Sequence, residues 1–270
     1  MILRCLPWYT EGSISFINNL MKWYPNVLNR NLKVLEIGAG NSTLYFLSKG
    51  CSVVSIESDG SCINAIIGAA RSFMFNARYT DWKDFNFKLP ILFSEPELHI
   101  FKAQTIKDIP NNIFDFDWDI IINDGISRHE CLEEISQNNK NSIVILDNAE
   151  YCSNWGTLQR SSAYPPRIKA YREFLRSSEY SHYLFEQEEG RSGHASSDSF
   201  GWEAPHRWIT SIGWRRNHIM SRLMVTNIGF PLVNMEGITD EDIKSVRDRC
   251  PYSPDSLEFE KTLELKRTYE

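Results

Sequence analysis

The chain has 270 residues, of which 42% are hydrophobic and 13% aromatic. This length and composition are typical of one large globular domain, or of one domain with additions. The formal net charge of −6 does not favour nucleic acid as a partner. No apolar run is long enough to span a membrane, and the N-terminal stretch is too short and polar for a signal peptide. The six cysteines form no C-x-x-C pair, which disfavours a zinc knuckle and indicates reduced thiols. We therefore expect a cytoplasmic protein that has no membrane partner.

The order of apolar and polar residues predicts alternating strands and helices. Residues 1–30 form a helical extension in which Thr10 is the N-cap of an amphipathic helix. Five short apolar runs follow, with the pattern of strands buried on both faces of a parallel sheet; they are 33–37, 52–57, 98–103, 119–123 and 142–146. Candidate helices are 43–49, 60–72 and 128–138. Two later runs, 181–187 and 207–216, suit an antiparallel pair.

These elements predict the fold class α/β, with a doubly wound, mostly parallel seven-stranded sheet and an antiparallel last strand. The main domain is expected to span residues 31–216. Residues 73–97 form an aromatic-rich insertion, and residues 188–206 a polar, glycine-rich loop long enough to be a lid. Residues 217–270 read as a partly helical C-terminal extension. The insertion and this extension are candidate surfaces for a homo-oligomer.

A glycine-containing turn after the first strand predicts a cofactor site. Gly38 and Gly40 allow the backbone to pass close to a ligand, and the helix that follows presents free N–H groups and a positive dipole end. Glu57 ends the second strand, where a carboxylate can accept hydrogen bonds from a ribose diol. The residues that can cap the helix are Asn41, Ser42 and Thr43. The pattern therefore predicts an adenosine-type ligand.

Two residues favour S-adenosylmethionine over NAD as that ligand. Thr43 stands where a dinucleotide fingerprint has its third glycine. Glu36 lies two residues before Gly38, where its carboxylate would repel a pyrophosphate and attract a sulfonium or amino group. The interpretation as a plain tight turn is the alternative.

The stretch "LEIGAGNSTLYFLSKGCSVVSIESD" resembles the first two motifs of class I S-adenosylmethionine-dependent methyltransferases, and is closest to the branch "E-x-G-x-G-x-S-T". The resemblance covers roughly residues 8–216, and Ser42 departs from it where many members have glycine. It implies a Rossmann-like methyltransferase fold, with Glu36, Gly38 and Gly40 beside the methionine part. Glu57 would lie at the ribose, and the adenine contact would come from Ala103, Gln104 or Thr105. The cofactor-binding set is completed by Asn41, Ser42, Thr43, Ser58 and Asp124.

Polar residues after the fourth and fifth predicted strands suggest where the chemistry occurs. Asp124, Asp147 and Asn148 should converge at one rim of the sheet, and their oxygens suit Mg²⁺ or another divalent cation. The arrangement is similar to that of metal-dependent catechol-type and sugar O-methyltransferases. The lysine base of the catechol-type enzymes falls near Ser127, so His129 is the candidate general base and Arg128 the group that would orient an anion.

Each of these residues also has a plainer interpretation. Asp124 can cap the next helix or touch the cofactor, and it is also a candidate catalytic residue together with His129 and Arg128. Asp147 and Asn148 can simply form a turn, and His129 can be a surface or packing histidine. Candidate acceptor-pocket residues in the later loop are Trp202, His206 and Trp208.

The sequence thus predicts an S-adenosylmethionine-dependent methyltransferase that acts on an oxygen of a small polar acceptor, such as a sugar or a phenolic hydroxyl, with a divalent metal as a second cofactor. One alternative acceptor is a peptide, a protein or another macromolecule. The other alternative is a non-catalytic cofactor-binding subunit that serves a partner.

Overall fold

The structure is a computed structural model that describes residues 7, 9–84, 95–139, 141–149, 165–187 and 208–221. The helices of this part are α1 (Glu11–Leu28), α2 (Asn41–Ser48), α3 (Gly60–Ser72), α4 (Arg128–Asn138) and α5 (Pro165–Arg176). The strands are β1 (Lys33–Ile37), β2 (Ser52–Glu57), β3 (Asn76–Tyr79), β4 (Glu97–Lys102), β5 (Ile120–Asn123), β6 (Ile143–Leu146), β7 (Tyr180–Gln187) and β8 (Trp208–Arg215). Short 3₁₀ turns lie at Trp82–Asp84, Ile106–Asp108 and Asn111–Ile113.

The strands form one sheet in the order β3-β4-β2-β1-β5-β6-β8-β7. Neighbours from β3 to β6 pair in parallel, and β8 runs antiparallel to both β6 and β7. This confirms the predicted fold class. The seven predicted strands are present, and β3 adds an eighth at the edge of the sheet. Its sequence, "NARY", has one buried side chain of four, so it lacks the apolar run that marks the central strands.

The core lies on both faces of the sheet because successive residues of a strand point to opposite sides. On one face, Val34, Val53 and Ile120 pack in the same cluster as Ile17 of α1 and Ile66 of α3. On the other face, residues such as Leu35, Val54 and Ile121 pack in a cluster with Leu132 of α4 and Phe174 of α5. Helices therefore cover both faces, as a doubly wound sheet requires.

Helix α1 closes one of these faces. Its predicted apolar side is buried; it consists of Ile14, Ile17, Leu20 and Met21. Thr10 occupies the N-cap position, as predicted, but its hydroxyl makes no capping bond to the helix backbone and donates instead to Ser13 Oγ at 3.0 Å. Gly12 lies against β7, where a Cβ atom would be 2.9 Å from the Phe185 ring. The first turn of α1 thus packs directly against the antiparallel end of the sheet.

A salt bridge holds the opposite, amino-terminal end of the central strands. Nη1 and Nη2 of Arg30 donate to the two oxygens of the Asp119 carboxylate, at 2.5 and 2.8 Å. Asp119 also accepts a hydrogen bond from Lys33 N at 2.7 Å. The end of α1 is therefore bound to the starts of β1 and β5, and the opposite rim is left for the site.

Several predicted features lie partly or wholly outside the described residues. They are residues 85–94 of the insertion, the predicted lid loop 188–206, and residues 222–270. In the part that is described, Cys51, Cys62 and Cys131 are free thiols. Among the described residues, no helix combines the length and the apolar character needed to cross a membrane.

Candidate functional site

The site lies where the chain reverses its direction of travel across the sheet. From β1 the chain moves outward through β2 to β3 at the edge, turns back to β4, and then places β5 on the other side of β1. In open α/β sheets, ligands bind at such a switch point, outside the carboxyl ends of the strands. The predicted residues after β1, β2, β4, β5 and β6 all meet this rim.

The turns after β1 and β5 touch backbone to backbone. Gly38 has a φ of +99°, and a Cβ atom there would be 2.6 Å from Gly125 Cα and 2.7 Å from Asp124 O. A Cβ atom on Gly125 would be 2.4 Å from Gly38 N. Gly40 differs, because a Cβ atom there would meet nothing within 4 Å. Gly38 and Gly125 therefore serve the close approach of the two turns, whereas Gly40 borders open space.

Thr43, at the place of the missing third glycine, connects the turn to the strand before it. Its Oγ1 accepts a hydrogen bond from Gly40 N at 2.9 Å and donates to Glu36 Oε2 at 2.5 Å. Helix α2 begins at Asn41, and its first turn contains the three predicted capping residues. Thr43 caps the helix by accepting from the backbone of Gly40, so this departure from the dinucleotide pattern has a structural role.

The carboxylate of Glu36 is fully buried beneath this turn. Besides Thr43, it accepts from Ser42 Oγ on Oε1 at 2.5 Å and from Ser55 Oγ on Oε2 at 2.7 Å. The pKa of Glu36 is raised to about 7: burial raises it most, the three hydroxyl donors lower it, and the nearby Asp124 contributes a smaller rise. The hydrogen bonds from Ser42 and Thr43 to this carboxylate fix the first turn of α2 against β1.

The Glu57 carboxylate lies between the glycine turn and the end of β2. Its Oε2 accepts from Ala39 N at 3.1 Å. Its Oε1 accepts from Ser58 N at 2.7 Å and from Asp59 N at 2.9 Å. The contact of Glu57 with a ribose stays a prediction.

The predicted adenine-side residues lie beside Glu57. Ala103 is buried, and its N–H donates to Glu57 O at 3.1 Å. The amide of Gln104 donates to Ser58 O at 2.6 Å. Gln104 N and Thr105 N both donate to Asp108 Oδ2 at 2.9 Å, and these backbone donors, Thr105 first, lower the pKa of Asp108. Hydrogen bonds thus join the residues that follow β2 to those that follow β4 along this side of the site.

On the other side of the switch point, Arg128 connects the turns after β5 and β6. Its Nη2 is 2.6 Å from Asp124 Oδ1 and donates to Asp124 O at 2.9 Å. Its Nη1 donates to Asn148 Oδ1 at 2.8 Å, and its Nε to Gly125 O at 3.3 Å. Asn148 has a φ of 57°, so the Asp147–Asn148 pair does form the turn that the sequence allowed.

This arrangement does not fit the predicted metal site. Asp124 and Asn148 each present an oxygen to the same guanidinium, so a permanent cation lies between two of the three predicted ligands. Asp147 is buried and accepts from Thr210 Oγ1 at 3.2 Å. Within the described residues, no group of three or more His, Cys, Asp or Glu side chains could hold a metal ion. The sequence indicated that these residues share a rim, but not that Arg128 reaches between them.

The N-terminal segment supplies two contacts that the sequence did not predict. Thr210 Oγ1, which donates to Asp147, accepts from Thr10 N at 3.2 Å. Tyr9 is buried next to Ser42. Burial raises the pKa of Tyr9, and the carboxylates of Glu36, Asp124 and Asp147 raise it further. Tyr9 therefore lies near all three carboxylates, and no sequence pattern marks it, because these partners are far from it along the chain.

The remaining predicted residues contribute less to the geometry. His129 is half-buried in the first turn of α4, directly after Arg128. Trp202 and His206 lie outside the described residues, and of Trp208 only the backbone position in β8 is described. The catalytic role of His129 stays a prediction.

No protein-family model matches the sequence, and no curated protein matches it. Solved structures match at low identity. The O-methyltransferase from Bacillus cereus in complex with SAH is 12% identical, with a TM-score of 0.43, over 73% of this chain and 80% of that chain. The O-methyltransferase TomG from Streptomyces achromogenes, in complex with SAM, is 12% identical, with a TM-score of 0.42, over 73% of this chain and 78% of that chain. The bifunctional kinase-methyltransferase WbdD is 16% identical, with a TM-score of 0.42, over 76% of this chain and 39% of that chain. Values this low do not establish a family.

Proposed function

We propose that the protein is an S-adenosylmethionine-dependent methyltransferase that methylates an oxygen of a small polar acceptor. The observation that carries the proposal is the distribution of carboxylates around the turn of Gly38 and Gly40. The Glu57 carboxylate accepts from Ala39 N of this turn, the Glu36 carboxylate is buried beneath it, and Asp124 contacts the turn from the end of β5. A ligand along the turn would meet the Glu57 oxygens as acceptors for a diol, with the carboxylates of Glu36 and Asp124 close to the same turn.

The charge of the site favours this cofactor over a dinucleotide. A cation about 5 Å from a carboxylate gains about 3 kcal/mol at an effective dielectric constant of about 20, and a pyrophosphate charge loses as much. Arg128, a cation at this rim, is already paired with Asp124. Thr43 fills the place where a dinucleotide site needs a glycine for close packing. The amino and sulfonium groups of S-adenosylmethionine match such a site.

When bound, the cofactor would supply an activated methyl group that an acceptor oxygen takes by in-line displacement, with the C–S bond breaking as the O–C bond forms. The chain would hold the two reactants in line, which is a large part of such catalysis. The glycine turn and Glu57 would fix the cofactor, and the Arg128–Asp124 pair would border the acceptor side. His129 would accept the proton of the acceptor hydroxyl, because an imidazole suits proton transfer near neutral pH.

Calorimetric titration tests the cofactor assignment without the need for an acceptor. We expect S-adenosylmethionine and S-adenosylhomocysteine to bind and NAD not to bind. Glu57→Gln should weaken binding by about 10–100-fold, because it removes a charged hydrogen-bond acceptor. The control is Glu95→Gln, an exposed carboxylate just before β4, at the other end of the sheet. Binding of NAD alone would overturn the proposal.

The acceptor class is tested with cofactor labelled on the methyl group, incubated with fractionated cell extract. Label in the small-molecule fraction supports the proposal. Label in protein or another polymer would replace the small acceptor by a macromolecule. Tight cofactor binding with no transfer to any fraction would favour a cofactor-binding subunit.

A further inference from the structure

Arg128 lies where the polar residues of the rim would otherwise hold a divalent cation. The oxygens of Asp124 and Asn148 face each other across the ends of β5 and β6, and hard oxygen ligands of this kind suit Mg²⁺ or Mn²⁺. In the structure both oxygens contact the guanidinium, at 2.6 and 2.8 Å. The distances are those of charged hydrogen bonds.

The guanidinium is held on more than these two sides. Its Nε donates to Gly125 O, and its Nη2 also donates to Asp124 O. The buried Tyr171 of α5 lies near Arg128: burial raises the Tyr171 pKa, and the positive charge of Arg128 lowers it. A guanidinium has five N–H donors in a fixed plane and keeps its charge at any physiological pH. Arg128 is therefore a permanent cation with a fixed orientation.

A divalent ion cannot share this place with the guanidinium. It would need the same oxygens at about 2.0–2.6 Å, and it would lie within contact distance of a like charge. Arg128 is also the first residue of α4, so the helix sets its backbone position. Displacing it would break its bonds to both turns.

We propose that Arg128 takes the place of a divalent cation: it is a positioning residue that fixes Asp124 and Asn148 at the rim, and the protein works without a metal at this site. The ion-binding part of this proposal stands alone, and the part that concerns turnover rests on the proposed methyl transfer. The rim of this chain thus has a built-in cation where a metal-dependent rim would bind one.

Binding of Mn²⁺ ions, followed by electron paramagnetic resonance, tests the proposal. Wild-type protein should leave the signal of free Mn²⁺ unchanged at about 1 mM, a level that fills even weak oxygen sites. Arg128→Gln removes the charge and should gain Mn²⁺ binding, which Asp124→Asn in the same chain should abolish. Arg128→Lys keeps the charge and should not gain binding. Wild-type binding that Asp124→Asn abolishes, or a folded Arg128→Gln protein that gains none, would overturn the proposal.

Turnover gives a readout that a purely structural role would not produce. Wild-type activity should be the same in EDTA and in Mg²⁺. Arg128→Gln should lose about 10–100-fold in kcat, the range for loss of a charged contact, and Mn²⁺ should restore part of it while leaving wild type unchanged. Loss of wild-type turnover in EDTA, or no rescue of a folded Arg128→Gln protein, contradicts the proposal. Absence of methyl transfer in every protein would instead remove the proposed function, and the Mn²⁺ titration would still decide the ion-binding part.

Arg128→Gln must be checked for folding by thermal unfolding. Should it not fold, Asn148→Asp is measured in its place, because it adds a carboxylate beside the guanidinium with little change in shape. We expect this variant to bind no Mn²⁺, since Arg128 would pair with the new carboxylate. Binding of Mn²⁺ by this variant would show that the rim accepts a metal next to Arg128, and the proposal would be wrong.

Discussion

The backbone of Gly125 lies against the backbone of Gly38, so closely that neither residue has room for a Cβ atom. Gly38 directly follows β1, and Gly125 lies two residues after the neighbouring parallel strand β5. Their contact brings the glycine turn and the Asp124 turn together at the switch point. The shape of the site therefore depends on two missing side chains.

Gly38→Ala should destabilise the protein. The new Cβ atom would lie 2.6 Å from Gly125 Cα, in backbone with a φ of +99°, and such strain costs about 1–3 kcal/mol before the overlap is counted. We expect Tm to fall by about 5–10 °C, measured by circular dichroism. The control is Gly68→Ala, on the exposed side of α3 with nothing within 4 Å, which should hold or raise Tm because alanine favours the helix. Equal Tm values for the two variants would contradict the described contact.

Gly40→Ala should leave the fold intact and weaken cofactor binding. A Cβ atom at residue 40 meets no atom of the protein within 4 Å, and the backbone there has a φ of −173°, which suits any residue. The methyl group would instead enter the space proposed for the ligand. We expect an unchanged Tm and affinity for S-adenosylhomocysteine at least about 10-fold lower, equivalent to about 1.4 kcal/mol. Unchanged affinity would place the cofactor elsewhere.

Glu36 should make stability depend on pH. Its folded-state pKa is raised from 4.5 to about 7, so the folded protein binds this proton more tightly than the unfolded chain does. The stabilisation that comes from protonated Glu36 is fully present below its unfolded-state pKa of 4.5 and is lost as pH rises through about 7. The loss is at most about 3 kcal/mol.

Glu36→Gln should remove this dependence, because the amide resembles the protonated acid and does not titrate. Urea denaturation at pH 5 and pH 8 measures the difference, with Glu95→Gln as the variant expected to follow wild type. If wild type and Glu36→Gln lose the same stability over this range, Glu36 is ionised in the folded protein well below pH 7.

Thr210→Val should loosen the N-terminal segment over the site. The substitution keeps the shape and removes the hydroxyl that accepts from Thr10 N and donates to Asp147. Leaving such buried groups without these bonds costs about 1–3 kcal/mol. Hydrogen exchange of the Thr10 amide should accelerate in Thr210→Val and return to the wild-type rate in Thr210→Ser, which retains the hydroxyl. Equal exchange rates in all three proteins would argue against this link.

The central strands and the helices between them could be predicted within about two residues because their signal is local. A parallel strand buried on both faces is a continuous apolar run, as in "IVIL" of β6. Strand β3 was missed because edge strands are exposed, and its apolar content is correspondingly low.

The site was predictable only in part, because its contacts join residues far apart in the chain. Glu36 and Glu57 follow from their places relative to β1 and β2. The roles of Tyr9 and Thr210 do not follow from the sequence, because their partners come close only in the folded chain. The predicted metal ligands do share a rim, but the length and direction of the Arg128 side chain, which decide what lies between them, leave no pattern in the sequence.

The hydrogen bond from Thr10 to Thr210 joins residues 200 positions apart. During synthesis, the start of α1 leaves the ribosome early, but it cannot form this bond until β8 has also emerged. The sheet around β1 and β2 can assemble before that moment, whereas the rim at Asp147 is completed only when the last strand pairs with β6. A chain that stops short of β8 would therefore retain the glycine turn and lack a finished site.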